Sequence, residues 1–277
     1  MKWRMGFPVV VAAVLLGYAC VAQAGCGPDR VDVGGYKLWM QTAGKGKLTV
    51  VFVSGVSDDS SVWKDIEPVI REHHKVRTVV YDRAGLGKSD PKPGDYHLMD
   101  EVAAVKTALA KCGVSGPMVL VAHSYGGFIS WRMAAADFAV KGLVFVDANL
   151  GSFFDDAEVA RLQARYTPQF EALRQEKPEL ARLMIPLMEA YPETVKRVRV
   201  VDIPPKLPVI DIVAEKTWVD TPDELTAMRK AHADFVAASP AREAVFAKGS
   251  GHYVMRDRPD LVIAAIDRMV EKVKGQK

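Results

Sequence analysis

Ser124 lies in Val119-Leu-Val-Ala-His-Ser-Tyr-Gly-Gly127, where an apolar run of buried-strand type ends at Ala122 and a helical pattern opens after the serine. A serine on such a strand-to-helix turn sits on strained backbone with its hydroxyl presented outward. The turn needs small residues two positions to either side, and Ala122 and Gly126 meet that need. A hydroxyl is a poor nucleophile until an imidazole within hydrogen-bond reach takes its proton. The imidazole in turn needs a carboxylate to hold its tautomer, so the chemistry to look for is a serine, a histidine and an acid brought together by the fold.

Six histidines are available. His73 and His74 are adjacent on a charged helical stretch and are read as solvated. His97 and His232 lie among charged residues with no motif around them. His123 neighbours the serine, but its side chain leaves the turn in another direction, so a packed role is expected. His252 ends the loop Lys248-Gly-Ser-Gly-His252, which follows a strand pattern, and it is the expected base. For the acid, Phe145-Val146-Asp147-Ala148 closes an apolar run with a single carboxylate. Such an acid at the C-terminal edge of a buried parallel strand faces the edge where sites are built; capping the next helix is its alternative role. The following strand, Val209-Ile-Asp-Ile-Val-Ala-Glu-Lys-Thr217, offers Asp211 inside the pattern, Glu215 at its end, and Asp220 several residues beyond. Asp147 is the expected acid and Glu215 the second choice. Charge developing on a carbonyl oxygen requires fixed N–H donors. The backbone amides of Tyr125 and of Val56, in the loop Ser54-Gly55-Val56, are the expected pair, although Gly55 also fits an ordinary turn.

These residues need a scaffold, and the pattern of the chain supplies one. Val31 to Gln41 reads as a hairpin turning at Gly34-Gly35. Apolar strands follow at 48–53, 76–81, 117–122, 142–147, 208–214 and 242–247, alternating with helical patterns at 62–73, 99–111, 125–136, 223–237 and 259–273. That alternation predicts an α/β fold with a mostly parallel central sheet flanked by helices. It breaks between 148 and 205, where helical stretches rich in Glu, Arg, Leu and Met are punctuated by Pro168, Pro178, Pro186 and Pro192. This segment is expected to be an inserted helical cap.

The chain has 277 residues, 49% of them apolar, enough for one large α/β domain. Its formal charge is +3 and it carries no Lys/Arg-rich block, which argues against a nucleic-acid groove or a membrane-binding face and points to a small-molecule partner. Lys2 and Arg4, the apolar run from Val9 to Leu16, and Ala22-Gln23-Ala24 form an export leader over residues 1–24. Cleavage would leave a mature domain over 25–277, periplasmic or secreted. An uncleaved anchor helix is the alternative, but the run is short for a bilayer. In an oxidising compartment Cys26 and Cys112 would either pair or remain two buried thiols; sequence leaves both open. No metal or cofactor is expected: no His/Cys/Asp cluster has ligand spacing, Asp58-Asp59 reads as a turn or helix cap, and Gly85-x-Gly87 lacks the third glycine of a dinucleotide loop. Trp131, Trp218 and the stretch Met184 to Met188 are read as packing, with a pocket lining as the alternative.

Three patterns occur in order: Asp82-Arg83-Ala84-Gly85-Leu86-Gly87-Lys88-Ser89, Ala122-His123-Ser124-Tyr125-Gly126-Gly127, and Gly251-His252. Together they resemble the α/β-hydrolase superfamily in its capped, single-domain form, over nearly the whole mature chain. The resemblance implies acyl-transfer hydrolysis by serine, histidine and a carboxylate, with the histidine last in the chain. There are three departures. Ala122 replaces the usual glycine, the His-Gly common in the oxyanion loop is missing, and Thr217 stands where most relatives carry the aspartate, leaving Asp147 at the other position known in the superfamily. The implied activity is an exported serine hydrolase that cleaves an ester or related acyl bond of a small or medium, partly apolar substrate. One alternative is a peptidase of the proline-iminopeptidase type, for which Glu171, Glu176 and Glu189 of the cap are available to hold an ammonium group. Another is a non-catalytic ligand-binding relative, since fold does not fix function.

Overall fold

The computed structural model describes residues 26–136 and 139–276. The expected leader lies outside the described residues. Eight strands form one sheet: β1 (Asp29–Asp32), β2 (Lys37–Gly44), β3 (Thr49–Val53), β4 (Arg77–Tyr81), β5 (Met118–His123), β6 (Val140–Val146), β7 (Val209–Ala214) and β8 (Arg242–Ala247). Their order is β1-β2-β4-β3-β5-β6-β7-β8. The pairings β1–β2 and β2–β4 are antiparallel, and the rest are parallel. The hairpin turns where expected, with Gly34 and Gly35 at φ +106° and +96°, a region that glycine enters without steric cost.

Among the described residues the helices are α1 (Glu67–His74), α2 (Leu98–Lys111), α3 (Gly126–Ala136), α4 (Asp156–Tyr166), α5 (Phe170–Glu176), α6 (Pro178–Glu189), α7 (Tyr191–Arg199), α8 (Pro222–Ala237), α9 (Val254–Asp257) and α10 (Pro259–Gly275). Side chains alternate across each strand, so the sheet feeds two cores. Val51 and Val53 pack with Val105 of α2, Phe128 of α3 and Phe235 of α8. Val50 and Phe52 pack with Ile70 of α1 and Ile266 of α10 on the other face. Burial on both faces is why these strands read as continuous apolar runs rather than alternating ones.

The segment between β6 and β7 is helical, α4 to α7, as the loss of strand pattern predicted. Pro178 and Pro192 sit in the first turns of α6 and α7, where a missing N–H costs nothing. Pro186 differs from the expectation of a break, because α6 runs through it and forgoes only its bond to the Arg182 carbonyl. The helix expected over 62–73 starts later. Asp59 caps a short 3-10 turn at Ser60–Trp63, accepting from the Ser61 N–H at 2.9 Å, and α1 opens next to Pro68. Of the two readings of the cysteines, the structure has the disulfide: Cys26 and Cys112 are bonded, tying the chain before β1 to the end of α2.

Two features of the sheet position the site. The β5–β6 register pairs His123 with Val146, so Ser124 and Asp147 leave the C-terminal ends of neighbouring strands side by side. After the turn the elbow helix presses on the sheet. A Cβ on Gly126 would stand 2.6 Å from the Val53 carbonyl oxygen and one on Gly127 2.8 Å from that of Asn149, so only glycine fits at either place.

Candidate active site

Ser124 occupies the turn between β5 and α3 with φ +52°, a left-handed conformation that costs a non-glycine residue energy and persists only when its surroundings impose it. Here the Gly127 and Asn149 amides both donate to the Ser124 carbonyl, at 2.9 and 2.8 Å. Asp147, the first residue after β6, is likewise left-handed at φ +44°. The strain turns its carboxylate toward the end of β7, where Oδ1 accepts the Ala214 N–H at 3.1 Å. Oδ2 receives two donors, His252 Nδ1 at 2.6 Å and the Thr217 hydroxyl at 2.5 Å. Burial disfavours charge on Asp147, but His252, Thr217 and the Ala214 amide overcome it and hold the carboxyl below its ordinary range. An ionised acid on Nδ1 fixes the histidine tautomer with Nε2 available as a base. His252 and Ser124 line one cleft of about 150 Å³ under the helical insertion.

Other acids near β7 are engaged elsewhere. Glu215 accepts the Gly249 N–H at 2.5 Å and so braces the glycine loop that carries His252, without touching the imidazole. Asp211 pairs with His232 Nδ1 at 2.7 Å, and Asp220 with Arg165 at 3.1 Å. Thr217 hydrogen-bonds the acid instead of replacing it. His123 is buried as expected. Its Nε2 donates to the His252 carbonyl at 3.1 Å and its ring lies 4.5 Å from the His252 ring, so it packs against His252 and holds its backbone.

The two residues expected to supply oxyanion donors, Val56 and Tyr125, both line this cleft. Among the described residues neither amide has a hydrogen-bond partner. Gly55 does more than turn the chain: a Cβ there would fall 3.0 Å from Asp58, 3.1 Å from His123 and 3.2 Å from the Ser124 side chain. The Asp82–Ser89 loop braces this region. The Asp82 carboxylate accepts from the Ser60 and Lys88 amides, each at 2.8 Å. Arg83, buried, donates from Nη1 to the Gly55 carbonyl at 2.7 Å and forms a two-pronged ion pair with Glu101. Its guanidinium also lies 4.8 Å from the centre of the Tyr125 ring, and the Tyr125 hydroxyl donates to Tyr96, which donates to Glu101. One buried charge therefore ties the Val56 loop to the Tyr125 side of the turn. Sequence reasoning missed this partnership. The signal was present as an arginine fixed inside a glycine motif, but Glu101 is not marked by any local pattern.

The lining also corrects one expectation. Trp218, Met184 and Met188 face the cleft, whereas Trp131 packs inward and donates to the Val201 carbonyl. Glu171, Glu176 and Glu189 are exposed and do not line it.

Comparison with known proteins gives the family and the fold. Residues 50–265 fit the profile of the alpha/beta hydrolase family, and the chain belongs to that family. Uncharacterized protein YqjL of Bacillus subtilis is 24% identical over 238 residues, spanning 80% of this chain and 83% of that one. A thermophilic esterase from Thermogutta terrifontis superposes with a TM-score of 0.62 at 23% identity, over 88% of this chain and 97% of its own. The haloalkane dehalogenase DbeA from Bradyrhizobium elkani superposes with a TM-score of 0.69 at 15% identity, over 90% and 99%. At these identities the structural likeness concerns the fold.

Proposed function

We propose that the protein is an exported serine hydrolase that cleaves an ester or related acyl bond of a small or medium, partly apolar substrate. The observation that carries this reading is the contact between His252 Nδ1 and Asp147 Oδ2 at 2.6 Å, in a cleft shared with a serine on a left-handed turn. His252 Nε2 takes the Ser124 proton as Oγ attacks the acyl carbon. The oxyanion is met by the amides of Val56 and Tyr125, and the imidazolium returns its proton to the leaving alcohol. Water then repeats the sequence on the acyl-enzyme and regenerates Ser124. Leu162, Met184 and Met188 supply the apolar walls.

The leader pattern and the disulfide both support export, since such a bond persists in an oxidising compartment. The proline-iminopeptidase reading finds no support in the cap, because the three cap glutamates lie away from the cleft. A strained serine, a strained acid and an oriented imidazole held together favour turnover over binding alone. Turnover of aryl esters against aminoacyl arylamides tests the assignment. Ester hydrolysis that falls in Ser124→Ala to the residual level of binding and oxyanion donors supports it, and undiminished turnover in that variant contradicts it. N-terminal sequencing of the exported form should begin at Gly25.

A further inference from the structure

The walls of the cleft carry a charge pattern that ester hydrolysis by itself does not require. Among the described residues lining it, no Lys or Arg is present, and Asp58 is the one carboxylate. Asp58 belongs to the same loop as Val56. Burial opposes its ionisation, but His123, the Tyr253 hydroxyl and the charge of Arg256 prevail and keep the carboxyl below its ordinary range. Oδ1 accepts from Tyr253 at 3.2 Å. Oδ2 stands 3.5 Å from His123 Nδ1, beyond a firm hydrogen bond, so part of a mostly buried anion is left without a close donor. Arg256 does not fill that place; its guanidinium lies 4.3 Å from the centre of the Tyr253 ring and does not line the cleft.

The lining is otherwise rich in aromatic residues, with Tyr166, Tyr191, Trp218 and Tyr253 among them, while the Tyr125 ring is already engaged by Arg83. Ring faces attract a cation through their quadrupole, and a carboxylate short of donors attracts it by charge, while an anionic group placed against Asp58 and the ring faces, away from the Val56 and Tyr125 amides, would be repelled. We propose that this cleft is a cation-selective substrate site: the enzyme takes esters in which the acyl or alcohol part carries a compact ammonium group, quaternary or primary, held between Asp58 and the aromatic walls. The proposal rests on the hydrolase reading of Ser124. Because Asp58 is two residues from Val56, the ammonium group sits close to the scissile carbonyl. The carboxylate that the peptidase reading sought in the cap is thus supplied by the oxyanion loop.

The test uses matched substrates and the full protein. The acetate of a quaternary ammonium alcohol is compared with its uncharged isostere, in which carbon replaces nitrogen. An α-amino aryl ester is compared with its deaminated analogue, so the two pairs separate quaternary from primary ammonium. In the wild type at least one pair should favour the cation by about tenfold in kcat/KM, less at high salt, and the ratio should fall to about one in Asp58→Asn. Taking the ratio within one variant removes any general effect of the substitution on turnover. A second measurement needs no variant: tetramethylammonium should protect Ser124 from a fluorophosphonate at a concentration about tenfold lower than tert-butanol does. Equal rates within both pairs, a preference that survives Asp58→Asn, or equal protection by the two solutes overturns the proposal. These outcomes leave Ser124 labelling intact, whereas no labelling by any fluorophosphonate contradicts the hydrolase reading itself.

Discussion

Asp147→Asn should cut turnover by several orders of magnitude while preserving the fold, and the hydrogen bonds around the acid say why. Oδ1 faces the Ala214 N–H, and Oδ2 faces His252 Nδ1 and the Thr217 hydroxyl. An asparagine amide has one oxygen and one NH2. If the NH2 faced Ala214, two donors would meet, so the oxygen stays there and the NH2 turns to His252. Nδ1 must then accept, which moves the imidazole proton to Nε2, the nitrogen that has to take the proton of Ser124. A base in the wrong tautomer lowers kcat by about 10⁴-fold, or about 5.4 kcal/mol of barrier. Steady-state kinetics on an aryl ester, with active sites counted separately, reads this directly, and a melting curve checks that the variant folds. An Asp147→Asn enzyme within about tenfold of wild type would refute the tautomer argument. Were Glu215→Gln the damaged variant instead, the acid would lie at the end of β7 and the account of Asp147 would be wrong.

Three further outcomes follow from the same structure. Reducing the Cys26–Cys112 bond, 86 residues apart in sequence, should lower unfolding free energy by about 4 to 5 kcal/mol, visible as a clear fall in Tm with reductant; an unchanged Tm would show that the bond does not form. Glu101→Gln leaves Arg83 a buried cation without its partner and should cost about 3 to 5 kcal/mol in a denaturant titration, with loss of kcat because Arg83 also holds Gly55; a shift under about 1 kcal/mol would contradict the bracing role. Burial works against charge on His232, but the Asp211 carboxylate prevails and raises its pKa above the ordinary 6.5. Its stabilisation is therefore complete below pH 6.5 and is lost as pH rises through the raised value, so the Tm advantage of wild type over His232→Gln should shrink across that window; an advantage that grows with pH would refute the sign.

The parts of the candidate site that depend on local pattern were legible in the sequence. Ser124 was marked by small neighbours and a preceding buried strand, and His252 by a glycine loop late in the chain. Asp147 was legible because a lone carboxylate ended an apolar run, and the β5–β6 register then set it beside Ser124. What stayed hidden depends on contacts distant in sequence. Arg83 finds Glu101 through the fold, Thr217 meets Asp147 across 70 residues, and Glu215 braces a loop 34 residues away. Trp218 and Met184 could not be told from core residues, because a cleft wall and a packed core draw on the same apolar side chains. The start of α1 was misplaced because Val62, Trp63 and Ile66 are buried whether or not their backbone is helical.

The most direct test of the central claim is to trap the nucleophile. The purified protein is treated with a fluorophosphonate, digested, and the adduct located by tandem mass spectrometry, alongside Ser124→Ala. A single adduct on Ser124 that disappears in Ser124→Ala is the predicted result; an adduct on another residue, or none in the folded wild-type protein, would contradict it.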